Sequence, residues 1–321
     1  MSDLFNLDDK KKICDVKNNE KISIYAKIEN LNVQQAVNQT HFLSLMLIDE
    51  TGYIYAKKWN IKEEEKKLFK TGQLVFITGI GNEYNNKTQL IIDEMRLIDE
   101  NDKININEFY LSSPISKEKL RINITSYIEM INNKNLKPIT STLYYKYENQ
   151  YLVFPAASKN HHAYISGLAH HVSTMLDLAK SIAMSYPNIN LDLLYSGIIL
   201  HDIGKVIELS DYLAPEYTTV GKLIGHINIC FEEIRVIAND LNIKGEEVML
   251  LQHMILSHHG LLEYGSPKRP LILEAEVLHL IDMIDSRMNM IDSELEEINN
   301  SDFTKRIYAL DGRSFYKHNL S

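Results

Sequence analysis

The sequence predicts an α+β chain in two parts, a small N-terminal β-barrel followed by an all-α helical domain, and three observations predict it. Apolar residues alternate with a period of two through residues 21–97, they recur at helical spacing from residue 117 onward, and a polar stretch, 101–113, ends at Pro114 between the two regimes. At 321 residues the chain is long enough for two domains with separate cores. The expected boundaries are 1–102 for the barrel, 103–140 for a linker and connecting helix, and 141–321 for the helical domain.

Residues 21–29 alternate with Ile22, Ile24, Ala26 and Ile28 on one face, and 41–48 place Leu43, Leu45 and Leu47 on one side. Asp49, Glu50, Thr51 and Gly52 are turn formers and 53–59 alternates again, so the two runs form a hairpin. The charged segment 62–70 reads as a short helix, and 73–80 and 89–97 supply two more strands around the polar loop 82–88. Strand, hairpin, helix and two strands is the order of an OB-fold, a five-stranded barrel that commonly grips oligonucleotides. Tyr53, Tyr55 and Lys57 share the strand face opposite Ile54 and Ala56, which makes them candidates for stacking on bases and meeting phosphates. With 14 Lys plus Arg against 16 Asp plus Glu over residues 1–100, the barrel has no net positive field, and any such contact must be local.

Helices are expected over 117–132 and around 166–184, 191–203, 219–241, 246–258 and 271–292. Several polar residues lie on or beside their apolar stripes. His171 accompanies Leu168, Met175, Leu178 and Ile182; His258 accompanies Leu251, Met254 and Ile255; Asp282 accompanies Leu271, Ala275 and Leu278. These groups point inward, and a buried carboxylate needs a cation or hydrogen-bond donors beside it. His201 and Asp202 end the apolar run 193–200 and precede Gly204 and Lys205, with Gly204 read as allowing the tight exit from a helix.

Imidazole and carboxylate converging from several helices is how a bundle holds a metal cluster. Asp202 is the natural carboxylate to bridge two divalent ions, with His171, His201 and Asp282 around one and His226, His258 and His259 around the other. Two ions about 3.5–4 Å apart serve phosphoryl displacement by stabilising the attacking and leaving oxygens. The mixed nitrogen and oxygen set suits Mn2+ or Fe2+ over calcium, with Mg2+ and Co2+ as alternatives. Lys205 is a candidate catalytic cation for a phosphate oxygen. Asp285, one turn past Asp282, is read as supporting the ligands, with Arg287 as its ion-pair partner.

The net charge of −9 argues against a protein that coats nucleic acid by bulk electrostatics. Cys14 and Cys230 are too few for a disulfide framework. No apolar stretch approaches the ~20 residues of a membrane span, and residues 1–20 lack the apolar core of a signal peptide. A cytoplasmic protein without membrane contact is expected. Self-association into a homo-oligomer is compatible with a helical domain of this size.

Two resemblances add to this reading. Residues 42–49 with Thr51, Gly52 and Trp59 resemble OB domains of anticodon-binding type. His171, His201, Asp202 and Asp282, in that order, look like the HD phosphohydrolase superfamily, and His226, His258 and His259 resemble its five-histidine, two-metal branch. More narrowly, residues 154–162, 166–168, 201–205, 225–227, 257–260 and 265–270 resemble the YhaM-type 3'-5' exoribonucleases, which join an N-terminal OB-fold to a C-terminal HD domain. That resemblance spans nearly the whole chain. It implies metal-dependent hydrolysis of single-stranded RNA from the 3' end to nucleoside monophosphates, with manganese preferred and single-stranded DNA as a second candidate substrate. Either of the adjacent His170 and His171 could be the first ligand; His171 is chosen because Met175 and Ala179 follow it as in the superfamily's pattern.

His161 and His162 match the family motif near the active site, where they could hold the terminal phosphate or donate a proton to the leaving oxygen. Lys268 and Arg269 are candidates to clamp the substrate backbone. The alternative is an HD phosphohydrolase or phosphodiesterase acting on small nucleotides. Its HD-GYP variant is disfavoured because Gly260, Leu261 and Leu262 follow His259 in place of a Gly-Tyr-Pro signature. A third reading, a nucleic-acid binder without catalysis, leaves the buried ionisable groups without a purpose.

Overall fold

The computed structural model describes residues 11–36, 40–62, 65–84, 87–157, 162–213 and 215–320, in two compact units, Met1–Ser112 and Ser113–Ser321. The first unit is built on β1 (Lys21–Gln35), β2 (His41–Asp49), β3 (Gly52–Lys58), a short helix α1 (Glu65–Leu68), β4 (Leu74–Tyr84) and β5 (Lys87–Leu97). The strands close in the order β1-β2-β3-β5-β4, antiparallel except for the pair β3 and β5. This is the OB-fold arrangement expected from the element order.

The period-two pattern decides which side faces the barrel interior. Ile24, Ala26, Ile28, Leu43, Leu45, Leu47, Ile54 and Ala56 are all buried in one core with Val75, Ile77 and Leu90. The strands run further than the apolar alternation alone suggested: β1 continues past a bulge at Ile28 and Asn30 to pair Gln35 with His41. Ladder hydrogen bonds continue where side chains no longer need burial. Of the helix expected over 62–70, Glu65–Leu68 is helical, while residues 63–64 lie outside the described residues.

The stretch 101–113 is not free chain. Asp102 receives two hydrogen bonds from the Arg96 guanidinium, at 2.8 and 2.6 Å, and one from Tyr25 Oη at 3.0 Å. Glu50 N donates to Glu108 O at 2.8 Å, and Phe109 is buried. These side-chain pairings are invisible to periodicity, which is why the segment reads as linker.

The second unit packs α2 (Lys117–Met130), α3 (Leu136–Tyr151), α4 (Gly167–Ser185), α5 (Leu191–Leu200), α6 (Lys205–Glu208), α7 (Thr219–Asp240), α8 (Glu246–Ser257) and α9 (Leu273–Glu296) around one core. The expected helices appear within a few residues, and the one-turn α6 and the longer α3 are additions. The Thr, Tyr and Ile content of α3 reads poorly as helix, yet Leu136, Ile139, Leu143, Tyr144 and Tyr151 lie on its buried face. Pro138 sits in its first turn, where no helical acceptor exists for a backbone N–H, and Tyr151 Oη ties the helix to α5 through Ile199 O at 2.8 Å. Asn190 and Thr218 cap α5 and α7 with their side chains. Among the described residues, no helix is long and apolar enough to cross a membrane.

Candidate metal centre

The ligand candidates arrive from separate elements. His171 lies in the second turn of α4; His201 and Asp202 follow the last residue of α5; His226 follows a break in α7; His258 and His259 follow α8; Asp282 projects from α9. Two glycines make this convergence sterically feasible. At Gly225, φ of 76° and ψ of 151° interrupt α7 and turn the chain just before His226. Gly204 has ordinary helical dihedrals, φ −61° and ψ −19°, so it is not the left-handed helix exit expected from the sequence. It permits close approach instead: a Cβ there would lie 2.2 Å from His226 O.

Around Asp202 the distances form one cluster. Its Oδ2 lies 3.2 Å from His201 Nε2, while its Oδ1 lies 3.5 Å from His226 Nε2 and 3.8 Å from His258 Nε2. His171 Nε2 lies 3.4 Å from Asp282 Oδ1. Ligand atoms of His171, His201 and Asp202 fall within 4.8 Å of one another, and so do those of His226, His258 and His259. The sequence-derived ligand set is thus brought together, with Asp202 between its two halves.

The histidines are oriented from behind. His201 Nδ1 donates to Ile198 O at 2.8 Å, His258 Nδ1 to Ile255 O at 2.7 Å, His226 Nδ1 to Glu208 Oε1 at 3.1 Å and His171 Nδ1 to Asp285 Oδ2 at 2.6 Å. Each partner is an acceptor, so Nδ1 carries a proton in all four rings and Nε2 is the nitrogen left facing the cluster. At that centre His201 Nε2, His226 Nε2, His258 Nε2 and Asp202 Oδ1 are buried with no hydrogen-bond partner among the described residues. Four such atoms together would cost several kcal/mol if nothing satisfied them. Divalent ions coordinated by imidazole nitrogen and carboxylate oxygen would satisfy them all, and the donor set fits.

The electrostatics agree. Burial would raise the Asp202 carboxyl, but Lys205 and the His201 imidazole outweigh it and hold the group well below the usual carboxylate range. Burial and the neighbouring His259 keep His258 neutral, the form a ligand requires. At His171 burial opposes the charge, yet Asp282 and Asp285 prevail and lift the imidazole to about 10. Two acids therefore favour positive charge at that position.

The remaining candidates distribute unevenly. Lys205 donates to Asp202 Oδ2 at 2.7 Å. It lines a cavity of about 400 Å³ together with Asp202, His259 and six residues of α9: His279, Asp282, Met283, Ser286, Arg287 and Met290. His162 does not face that cavity. It is 2% exposed, with Nε2 on Asp285 Oδ2 at 2.7 Å and Nδ1 on Tyr164 Oη at 2.6 Å, so both nitrogens are engaged behind His171. A proton donor to the leaving oxygen must reach that oxygen, and this ring is placed as a support for Asp285 instead. His170 also lies outside the cluster, bonded through Nδ1 to Tyr164 Oη at 2.7 Å. Lys268 and Arg269 are exposed and do not line the cavity. His161 lies outside the described residues.

One group was missed in the sequence and another was given the wrong partner. Glu208 orients His226 from another helix, a pairing that no local pattern announces. Arg287 was assigned to Asp285, but that carboxylate is taken by His162 and His171. Arg287 instead lines the cavity and makes no ion pair or hydrogen bond among the described residues.

On the barrel, Tyr55 is exposed and Tyr53 half-buried, with their rings 5.7 Å apart. Lys57 Nζ lies 5.7 Å from the Trp59 ring centre, 5.8 Å from Phe42 and 5.5 Å from Tyr84. The expected face therefore extends to Trp59 and Tyr84, both exposed, with Phe42 stacked under Trp59 at 4.4 Å.

Comparison with known proteins adds a family to this geometry. The HD domain family matches residues 168–287. The 3'-5' exoribonuclease YhaM of Geobacillus sp. (strain WCH70) is 47% identical over 298 residues, covering 93% of this chain and 92% of that protein. Among solved structures, the second OB-fold domain of replication protein A from Methanococcus maripaludis is 21% identical, covering 28% of this chain and 96% of that chain with a TM-score of 0.25.

Proposed function

The chain belongs to the YhaM family of 3'-5' exoribonucleases, and from that premise we propose that it shortens single-stranded RNA from the 3' end, one nucleoside monophosphate at a time, at two divalent ions. His171, His201, Asp202 and Asp282 would hold one ion and His226, His258 and His259 the other, with Asp202 shared. The observation that carries this reading is the group of four buried, unbonded ligand atoms around Asp202. Manganese is the ion proposed, with Fe2+, Mg2+ and Co2+ as alternatives of similar ligand preference.

When bound, such ions lower the pKa of water and neutralise charge on the phosphoryl oxygens. The chain's own residues do the rest. Lys205 and Arg287 supply fixed positive charge in the cavity, Lys205 as a point charge and Arg287 as a planar fork that fits two phosphate oxygens. Water adds its oxygen to phosphorus and gives up one proton to solvent, the bond from phosphorus to the preceding 3' oxygen breaks, and that oxygen takes up a proton from solvent. His162 and Asp285 keep His171 in one tautomer throughout. On the barrel, Tyr55, Trp59 and Tyr84 offer ring faces to bases around Lys57, each stacked base being worth about 1–3 kcal/mol. A cytoplasmic setting agrees with the free thiols of Cys14 and Cys230.

The test is incubation of the full chain with 5'-labelled single-stranded RNA, single-stranded DNA or free nucleotides, with manganese or with chelator. A ladder shortening from the 3' end, abolished by chelator, is the expected result. Nucleotide turnover without RNA decay would favour the small-nucleotide phosphohydrolase, and no turnover of any substrate would remove the catalytic reading.

A further inference from the structure

Beyond α9 the chain folds back as a hairpin. Ser301 N donates to Lys317 O at 2.7 Å, Thr304 N to Phe315 O at 2.9 Å and Ile307 N to Arg313 O at 2.9 Å. Phe303 faces Tyr316, and Ile307 faces Arg313, in antiparallel pairs. The base of the hairpin is tied to the end of α9, where Lys317 Nζ donates to Leu295 O at 2.8 Å and Ile298 O at 2.9 Å. A lysine on the terminal carbonyls of a helix also complements its dipole.

The tip of this hairpin reaches the metal centre. Tyr308–Leu310 forms a single 3-10 turn, and Asp311 and Gly312 follow with φ of 60° and 67°. Ala309 and Leu310 line the same cavity as Asp202, Lys205 and Asp282, and Leu310 is only 1% exposed. Leu310 belongs to neither hydrophobic core. Leu310 is therefore a buried leucine outside both cores, at the end of a pinned hairpin and on the cavity wall. The cavity wall is thus shared by the ligand candidates Asp202, His259 and Asp282, by Lys205, by Met283, Arg287 and Met290 of α9, and by the hairpin tip. Pockets that hold a single small ligand begin at about 300 Å³, and this one, at about 400 Å³, lies near that lower end.

We infer that the hairpin tip is an end wall which admits only the last nucleotide of a strand beyond the scissile bond, and thereby sets both the product length and the requirement for a free, unblocked 3' end. This rests on the exonuclease reading above. A strand entering the cavity stops when its terminal sugar meets Leu310 and Ala309. The phosphate then held at Lys205 and Arg287 is the first one from the end, and each cut releases a mononucleotide. The base has Met283, Met290 and Leu310 to pack against, apolar contacts that read no sequence. Without the wall, the strand advances further before it stops.

The experiment uses the full-length protein with manganese and two linear RNAs, one with a free 3' hydroxyl and one carrying a bulky 3' fluorescein. Wild type is expected to release only mononucleotides, and to act at least about a hundredfold more slowly on the blocked RNA, since a single surplus methylene already costs about 10–200-fold in a pocket that discriminates by size. Leu310→Gly should add dinucleotides and trinucleotides to the products and bring the blocked RNA close to the rate of the free one. Lys317→Ala unpins the hairpin without altering its tip and should shift both readouts in the same direction, which keeps the test open should the glycine variant fold poorly. Variants that melt like wild type yet release only mononucleotides and still stall on the blocked end would overturn the inference while leaving the exonuclease intact. A wild-type protein inert on both RNAs would overturn the exonuclease reading as well.

Discussion

Asp202 turns one oxygen to His201 and the other to His226, with Oδ2 at 3.2 Å from the first Nε2 and Oδ1 at 3.5 Å from the second. One carboxylate therefore belongs to both halves of the ligand cluster. Asp202→Asn should abolish hydrolysis, by at least about a thousandfold, while RNA affinity measured in chelator changes little. Metal analysis should show the variant losing bound manganese. Retained activity would take Asp202 out of the mechanism.

Glu208 accepts from both the backbone N and Nδ1 of His226, at 3.0 and 3.1 Å, and is itself buried. Loss of an orienting partner of a metal-binding histidine typically costs about 10–100-fold in metal affinity. Glu208→Ala should shift the manganese titration of activity by that factor and recover toward wild type at saturating manganese. An unchanged titration would show that Glu208 does not control His226.

Arg287 lines the cavity with no carboxylate partner among the described residues. Its truncation to Ala should weaken turnover of RNA by about 10–100-fold, the cost of one charge-assisted phosphate contact of about 1.5–3 kcal/mol. Arg287→Lys should recover only part, since an ammonium lacks the planar fork. Steady-state kinetics of the two variants, with melting temperature as a control, decide the matter.

On the barrel, Trp59→Ala and Tyr84→Ala should each weaken binding of single-stranded RNA by about 1–3 kcal/mol, with little change in the rate of cleaving a dinucleotide. Fluorescence anisotropy and dinucleotide turnover separate the two effects. Equal losses in both assays would mean the substitutions act through folding.

Asp102 accepts from Arg96, Tyr25 and the Asp99 backbone, and the Arg96 guanidinium holds its carboxyl well below the usual range, against burial. A group whose folded pKa is depressed contributes stability above its unfolded value near 4 and loses it as pH falls. Asp102→Asn should thus destabilise the barrel by about 1–2 kcal/mol at pH 7, and the gap to wild type should close as the pH drops below about 4. Trp59, the single tryptophan, lies in this unit and reports its unfolding by fluorescence. A gap that persists at low pH would indicate a packing defect instead.

The residues themselves carried much of this. Alternation over β1 to β3 identified Leu43, Leu45, Leu47, Ile54 and Ala56 as interior positions and so turned Tyr55 and Lys57 outward. Helical stripes marked His171, His258 and Asp282 as inward-facing. Both signals are local: an apolar period states on which side of its own element a residue lies, and burial of ionisable groups on that side is already a statement about cations.

Tertiary structure alone decided the pairings. His162 stands beside the metal-ligand motif in the chain, yet it supports Asp285 and does not face the cavity; Arg287 lies beside Asp285 but is free of it; Lys268 and Arg269 stay in solvent. The hairpin that places Leu310 against the metal centre has no periodic signature at all. Direction within an element is written in neighbouring residues, whereas a distance between His162 and Asp285, or between Leu310 and Asp202, exists only once the helices that carry them have packed.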